Sequence, residues 1–221
     1  MGAVFRNLRI KVINMKTIKT LAFACFVVVT LVSALEKTTH SQDTILPFHA
    51  KIERIQQLFG PDGSLENEQS ITESYFRGSE GSTYTKGTVI DSTTGKIEHP
   101  VRIIENAGTD QVYVIDDGNR TVMIQRLRFK SGGTRPNPEL PRKEYLGRPC
   151  AVMLNPEQGG ELWIDLELGY PLYHRREMKV DGGRKMIRIS RVTELTVDAE
   201  PDPGLFDLPH LDEYSVIDHT R

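Results

Sequence analysis

The chain has 221 residues, 28 of them basic and 30 acidic, for a formal net charge of −2. Five of those bases precede an N-terminal apolar run and no acid does, so without that leader 23 bases face 30 acids, a net of −7. Such a balance excludes a general nucleic-acid binder, which needs net positive charge or a dominant basic stripe.

The leader comes first in chain order. Residues 20 to 34 read TLAFACFVVVTLVSA without a charge, after Arg6, Arg9, Lys11, Lys16 and Lys19. A basic n-region, an apolar stretch of this length and a small-residue end at Val32-Ser33-Ala34 are the pattern of a secretory signal peptide. A spanning helix needs about twenty apolar residues, so the run is short for a permanent anchor. The expectation is an exported protein cut after Ala34, periplasmic or extracellular. Met15 offers a tidier start, since MKTIK followed by the apolar run has ordinary signal-peptide proportions. Lipidation at Cys25 in LAFAC fits less well, because Phe23 is bulky and most of the apolar run follows the cysteine. Without the leader Cys150 stands alone, so no intramolecular disulfide can form. Cys150-Ala151-Val152-Met153-Leu154 reads as a core strand rather than a reactive-thiol site.

Residues 35 to 45 are a polar lead-in, 46 to 215 a single domain, and 216 to 221 a tail. Phe48, Ile52, Ile55 and Phe59 recur at spacings of four, three and four, with Lys51, Glu53, Arg54, Gln56 and Gln57 between them. This amphipathic period predicts a helix over 46–59, with Pro47 in its first turn and Gly60-Pro61-Asp62-Gly63 as its stop. From there the period is two. Strands are predicted at 70–77, 83–90, 97–105, 111–115, 120–127, 144–154, 161–168, 172–180 and 185–197. Turns are expected at Asp91–Gly95 and at Asp116-Asp117-Gly118-Asn119, where Gly and Asn tolerate positive φ. Residues 130 to 143 hold three prolines and two glycines and read as the longest loop. With Asp181-Gly182-Gly183-Arg184 as the last turn, Val180 lies opposite Lys185, Glu177 opposite Arg188, and Met178 meets Ile187. One helix followed by nine antiparallel strands is a meander, mainly β.

The densest polar stretch is ELWIDLELGYPLYHRRE, Glu161 to Glu177. On a strand, Leu162, Ile164, Leu166 and Leu168 alternate with Trp163, Asp165 and Glu167, which places the acids on the solvent side. Two strand rises separate the Cα atoms of Asp165 and Glu167 by about 6.6–6.8 Å. Carboxylates near that spacing can act on glycosides. Alternating acids are also what an exposed strand face carries, and that reading is preferred. His174 shares parity with Leu172, Met178 and Arg176, so its face stays open, and no G-x-S-x-G accompanies it. The histidines after the leader (40, 49, 99, 174, 210 and 219) show no H-x-H or H-E-x-x-H spacing, and no calcium-loop pattern is present. Neither a metal, a cofactor nor an enzymatic activity is expected. Asn119-Arg120-Thr121 is a glycosylation sequon by letter. Arg120 to Arg148 holds eight bases and two acids, a rim that suits anionic headgroups or a partner.

Trp163 followed by Leu168-Gly169-Tyr170-Pro171-Leu172 resembles the tryptophan and L-G-x-P-L strand-turn-strand of LolA-like envelope proteins, the lipoprotein-carrier superfamily. Ala199-Glu200-Pro201-Asp202-Pro203-Gly204-Leu205-Phe206-Asp207-Leu208-Pro209 is similar to that group's closing motif, and Tyr145-Leu146-Gly147-Arg148 with Cys150 to the strand before it. The resemblance is motif-level over about 140–215 and architectural over 46–130. It implies a strongly curved antiparallel sheet, an unclosed barrel, with a helix covering its concave face. It also implies an acyl chain or other apolar ligand in that concavity; the basic residue that helps specify the carrier's cargo has no match here. The helical stripe Phe48, Ile52, Ile55 and Phe59 would line the groove. Two rivals stand beside this reading. One is a non-enzymatic interaction or sensing domain with a filled core that engages an envelope protein. The other, more distant, is a hydrolase using Asp165, Glu167 or His174. In the first two cases the protein is a monomer, in peripheral contact with a membrane at most.

Overall fold

A computed structural model describes residues 45–90, 97–127, 136–137, 139–155 and 159–220. The expected turn at Asp91–Gly95, the lead-in up to residue 44 and, of the 130–143 loop, residues 130–135 and 138 lie outside the described residues. Twelve strands run in chain order. The first six are β1 (Phe48–Phe59), β2 (Leu65–Arg77), β3 (Thr83–Ile90), β4 (Ile97–Asn106), β5 (Gln111–Asp116) and β6 (Thr121–Arg126). The rest are β7 (Arg142–Tyr145), β8 (Arg148–Asn155), β9 (Gly160–Asp165), β10 (Pro171–Lys179), β11 (Lys185–Val197) and β12 (Ser215–Asp218). They form one open sheet ordered β12-β6-β5-β4-β3-β2-β1-β11-β10-β9-β8-β7. All neighbours are antiparallel except β12, which runs parallel to β6. Residues 216–218, read as tail from the sequence, belong to β12.

The expected helix over 46–59 is instead β1, the strand at the middle of the sheet, paired over its full length with β2 and β11. The 4-3-4 apolar spacing fits a helix. On a strand it sends Phe48 and Ile52 to one face and Ile55 and Phe59 to the other. Phe48, Ala50 and Ile52 alternate inward and are 0, 0 and 2% exposed. Two flanking strands satisfy the backbone on both sides and bury those residues, at about 1.5–3 kcal/mol for each large one. That context overrides a weak local preference.

Two local slips bend the sheet. Between Lys51 and Ile52 the β11 partner jumps from Glu194 to Val192, leaving Thr193 as an extra residue whose hydroxyl donates to the Lys51 carbonyl at 3.4 Å. Between Pro171 and Tyr173 the β9 partner advances by one, leaving Leu172 extra. Bulges of this kind increase twist and curl. The curl is measurable. Tyr145 Oη, on edge strand β7, donates to the Val192 carbonyl of β11 at 2.9 Å. Four strand steps separate β7 from β11, about 19 Å on a flat sheet. One tyrosine cannot span that distance, so the sheet is strongly curved at this end. This is the unclosed, curved sheet the resemblance implies, and among the described residues no α-helix covers it.

Two cores result. One joins Phe48, Ala50, Ile52, Cys150, Leu168, Leu172 and Val192. The other joins Tyr84, Ile104, Tyr113, Ile115 and Val122, with Leu205, Phe206, Leu211 and Tyr214 of the C-terminal segment packed on it. The closing motif is thus a strap. Its 3-10 turn Pro203–Phe206 begins where the Asp202 side chain accepts from Gly204 N, and the segment lays two apolar residues onto the second core.

The last turn differs from the expected register by one residue. Val180 N donates to the Arg184 carbonyl across a three-residue 3-10 turn, Asp181–Gly183. Glu177 therefore faces Ile187, and Arg176 faces Arg188. The single strand expected at 144–154 is two, joined by Leu146-Gly147 with φ of 52° and 71°. At the β5–β6 hairpin the positive φ falls on Arg120, at 48°, rather than on Gly118 or Asn119.

Candidate functional site

Strand register sorts the side chains of β1, β2, β9, β10 and β11 onto two faces. One carries Phe48, Ala50, Ile52, Arg54, Gln56 and Leu58 of β1; directly opposite on β2 stand Arg77, Tyr75, Glu73, Ile71, Gln69 and Asn67. On β11 the matching set is Val197, Leu195, Val192, Ser190, Arg188 and Met186. His174, Arg176 and Met178 of β10, and Leu162 of β9, continue it.

At one end this face is packed. The Phe48 ring centroid lies 4.9 Å from Tyr170 and 5.4 Å from Tyr75, and the Arg77 guanidinium carbon sits 4.5 Å above it. Arg77 is 2% exposed and donates to the Leu46 carbonyl at 2.9 Å and the Leu168 carbonyl at 3.0 Å. Burial lowers its pKa and raises those of Tyr75 and Tyr170. Of the four groove candidates, Phe48 and Ile52 are therefore filled core, while Ile55 and Phe59 lie half-buried on the opposite face.

Further along the same face the chemistry changes. The next row reads Ile71, Arg54, Ser190, His174, Leu162 across five strands; after it come Gln69, Gln56, Arg188 and Arg176, then Leu58, Met186 and Met178. Apart from the Asn67 end, these residues are half-buried. Arg54 holds Glu73 at 2.5 Å, and Arg188 Nε donates to Gln56 Oε1 at 3.1 Å. Burial, then Arg176 and Arg54, lowers the pKa of His174. Burial and Arg176 likewise lower that of Arg188.

The acids of ELWIDLELGYPLYHRRE do something other than line a strand face. β9 ends at Asp165, which is 0% exposed. Its Oδ1 accepts from Leu168 N at 2.8 Å, Glu167 N at 2.9 Å and Arg148 Nη2 at 3.1 Å, and its Oδ2 from Arg148 Nε. Glu167, beyond the strand, reaches the same guanidinium at 2.8 Å. The expected solvent position of Asp165 is thus corrected: the two carboxylates share one arginine and hold the turn that carries Gly169 at φ 60°. His174 sits across the sheet from Ser190 and is not brought to either acid. Cys150 is fully buried, and burial followed by Asp165 pushes its thiol up to about 11. Trp163 lies between Tyr145 (5.7 Å) and Tyr173 (4.9 Å) under the Lys143 amine at 4.4 Å.

Sequence reasoning missed the arginine cluster on this face, Arg54 in one row and Arg176 opposite Arg188 in the next. Its one signal was the last hairpin's register, and a one-residue slip there turns an expected Glu177–Arg188 pair into Arg176 opposite Arg188. Among the described residues no group of three or more His, Cys, Asp or Glu is placed to hold a metal ion. No helix among them is long and apolar enough to cross a membrane.

No family model matches the chain, and no curated protein matches it. Solved structures do. The MucA/MucB complex of Pseudomonas aeruginosa is similar at 15% identity and a TM-score of 0.41, covering 78% of this chain and 58% of that one. The chain thus spans less than two thirds of that neighbour's length. A LolA superfamily protein from Nitrosomonas europaea is similar at 9% identity and a TM-score of 0.33, over 72% of this chain and 90% of that one. A putative outer membrane lipoprotein-sorting protein domain from Vibrio parahaemolyticus follows at 8% identity and 0.27, over 73% and 89%. LolA superfamily proteins are therefore among the structural neighbours of the chain.

Proposed function

We propose that this is an exported envelope protein, cut after Ala34, that holds a lipid or other apolar ligand against one face of its curved sheet. The observation that carries the reading is the row Leu58, Met186 and Met178, half-buried on one face beyond the row of Gln56, Arg188 and Arg176. The described residues form one sheet and short 3-10 turns, with no α-helix and no second sheet. Methionines adapt to irregular apolar partners, and an apolar ligand would complete the burial that the protein leaves unfinished. Native mass spectrometry of the gently purified protein should show a co-purified lipid mass, released by Met186→Glu. A bare protein mass, together with no binding of a fluorescent fatty-acid probe, overturns the reading.

A second reading is supported by the packed end of the same face, where Phe48 and Ile52 meet protein side chains. With its interior filled, the domain would act by engaging an envelope partner, as a monomer, through a sheet edge or the basic 120–148 segment. Crosslinking in cells tests it: recovery of monomer alone counts against it.

A further inference from the structure

Three aromatic rings from three strands meet on the face of the sheet opposite Leu58, Met186 and Met178. Tyr173 of β10 pairs with Trp163 of β9, and Trp163 pairs with buried Val152 of β8. The Trp163 ring centroid lies 4.9 Å from that of Tyr173 and 5.7 Å from that of Tyr145, while Tyr145 and Tyr173 are 6.4 Å apart. Tyr145 comes from edge strand β7, and the bond from its hydroxyl to the Val192 carbonyl fixes its ring in place. A cation also lies on the Trp163 ring. The Lys143 amine sits 4.4 Å from the ring centroid and pairs with Glu161 at 3.0 Å. An indole face flanked by tyrosines, with a carboxylate at its rim, is the chemistry that holds a positive charge.

Lys143 is a loosely held occupant. Its side chain is 50% exposed, and β7 is a four-residue edge strand with a partner on one side only. An ion pair at that exposure contributes little. A primary ammonium is also a compact, strongly hydrated charge, which gives up water to lie on a ring. A quaternary ammonium spreads the same charge over methyl groups and has no N–H to keep solvated, so it loses less on the same surface. Arg175, across from Glu161 on β10, holds Glu177 and the Gly159 carbonyl instead of the rings.

We propose that Trp163, Tyr145 and Tyr173, with Glu161 as counter-charge, form a binding site for a quaternary ammonium group, either a soluble choline-class cation or a lipid headgroup. The Lys143 amine is its resident stand-in and swings out to solvent when the ligand arrives. The site and the apolar row lie on opposite faces, so it does not depend on the apolar-ligand reading.

Trp163 is the chain's only tryptophan, so its emission reports on the site directly. Tetramethylammonium chloride should give a saturable emission change that sodium chloride at equal ionic strength does not. Lys143→Ala removes the resident cation and should lower the Kd about five- to tenfold. Glu161→Gln should raise it about three- to fivefold. Lys185→Ala, which removes an amine lying 5.3 Å from the Phe59 centroid, should leave it unchanged. Vesicles then separate the two sources. Binding to phosphatidylcholine in preference to phosphatidylglycerol assigns the site to a lipid headgroup; equal binding to both, or to neither, assigns it to a soluble cation. The absence of a saturable response to tetramethylammonium in wild type and Lys143→Ala overturns the proposal. So does an equal response to sodium, or one Kd shared by wild type, Lys143→Ala and Lys185→Ala.

Discussion

Replacing Asp165 with asparagine keeps the side chain's shape and one oxygen for the Leu168 and Glu167 amides, but removes the charge that Arg148 meets. Breaking a buried ion pair by deleting one partner costs about 3–5 kcal/mol. Arg148 retains 20% side-chain exposure and a second carboxylate at 2.8 Å in Glu167, which places Asp165→Asn lower, at about 2–3 kcal/mol. Asp165→Ala also strips the acceptor from two backbone N–H groups, at about 0.5–1.5 kcal/mol each, and should cost about 4–5 kcal/mol. Glu167→Gln, at a side chain 64% exposed, should cost no more than about 0.5 kcal/mol. Equilibrium unfolding in urea reads these differences. With m near 2–3 kcal/mol/M, Asp165→Asn should lower the midpoint by about 1 M with m unchanged. In the double variant Arg148→Gln/Asp165→Asn neither charge is left alone, so its loss should fall short of the sum of the singles by about 1–3 kcal/mol. If Asp165→Asn and Glu167→Gln destabilise equally, the carboxylate does not anchor the turn and the reasoning fails.

Leu146 occupies a left-handed conformation at φ 52° and is 47% exposed, so it carries strain without packing to justify it. Leu146→Asn creates the Asn-Gly pair that such two-residue hairpins favour and should raise Tm by about 2–4 °C; an unchanged or lower Tm contradicts the turn geometry. His174 has a folded pKa below its unfolded value of about 6.5, because burial and then Arg176 and Arg54 disfavour its charge. Protonation therefore favours the unfolded chain, and the protein loses stability from this group as pH falls below about 6.5. His174→Gln should flatten that decline between pH 7 and 5, and parallel urea midpoints over the range would exclude the effect. Cys150, buried with its thiol near 11, should resist Ellman's reagent at pH 8 in the folded protein and react on unfolding. Rapid labelling without unfolding would show the β8 strand to be open.

Much of the fold is legible where the pattern is local. Thr83–Ile90 and Lys185–Val197 have the predicted limits, since period-two alternation between turn residues is a short-range signal. The Asp116–Asn119 hairpin forms, with buried Asp116 accepting from Asn119 N at 2.8 Å, although its positive φ falls on Arg120 rather than on Gly118 or Asn119. Phe48–Phe59 was misread because its apolar spacing satisfies a helix, and the partners that make it a strand lie as far away as Val197. Leu146-Gly147 was read through as strand because leucine is an unusual residue for a left-handed turn. The closeness of Arg54 and Arg188 was invisible because they come to adjacent rows of one face only when β1 pairs with β11.

The amino-acid sequence by itself determined a mainly β chain, most strand limits, and the Trp163 and Leu168–Leu172 turn, because each depends on residues within a turn or two of one another. The tertiary structure alone decided which face each charge occupies. In a strand every second side chain changes side, so a shift of one residue at Asp181–Gly183 moves Arg188 from opposite an acid to opposite Arg176. A buried turn at Asp165 likewise converts an apparent solvent carboxylate into the anchor of ELWIDLELGYPLYHRRE.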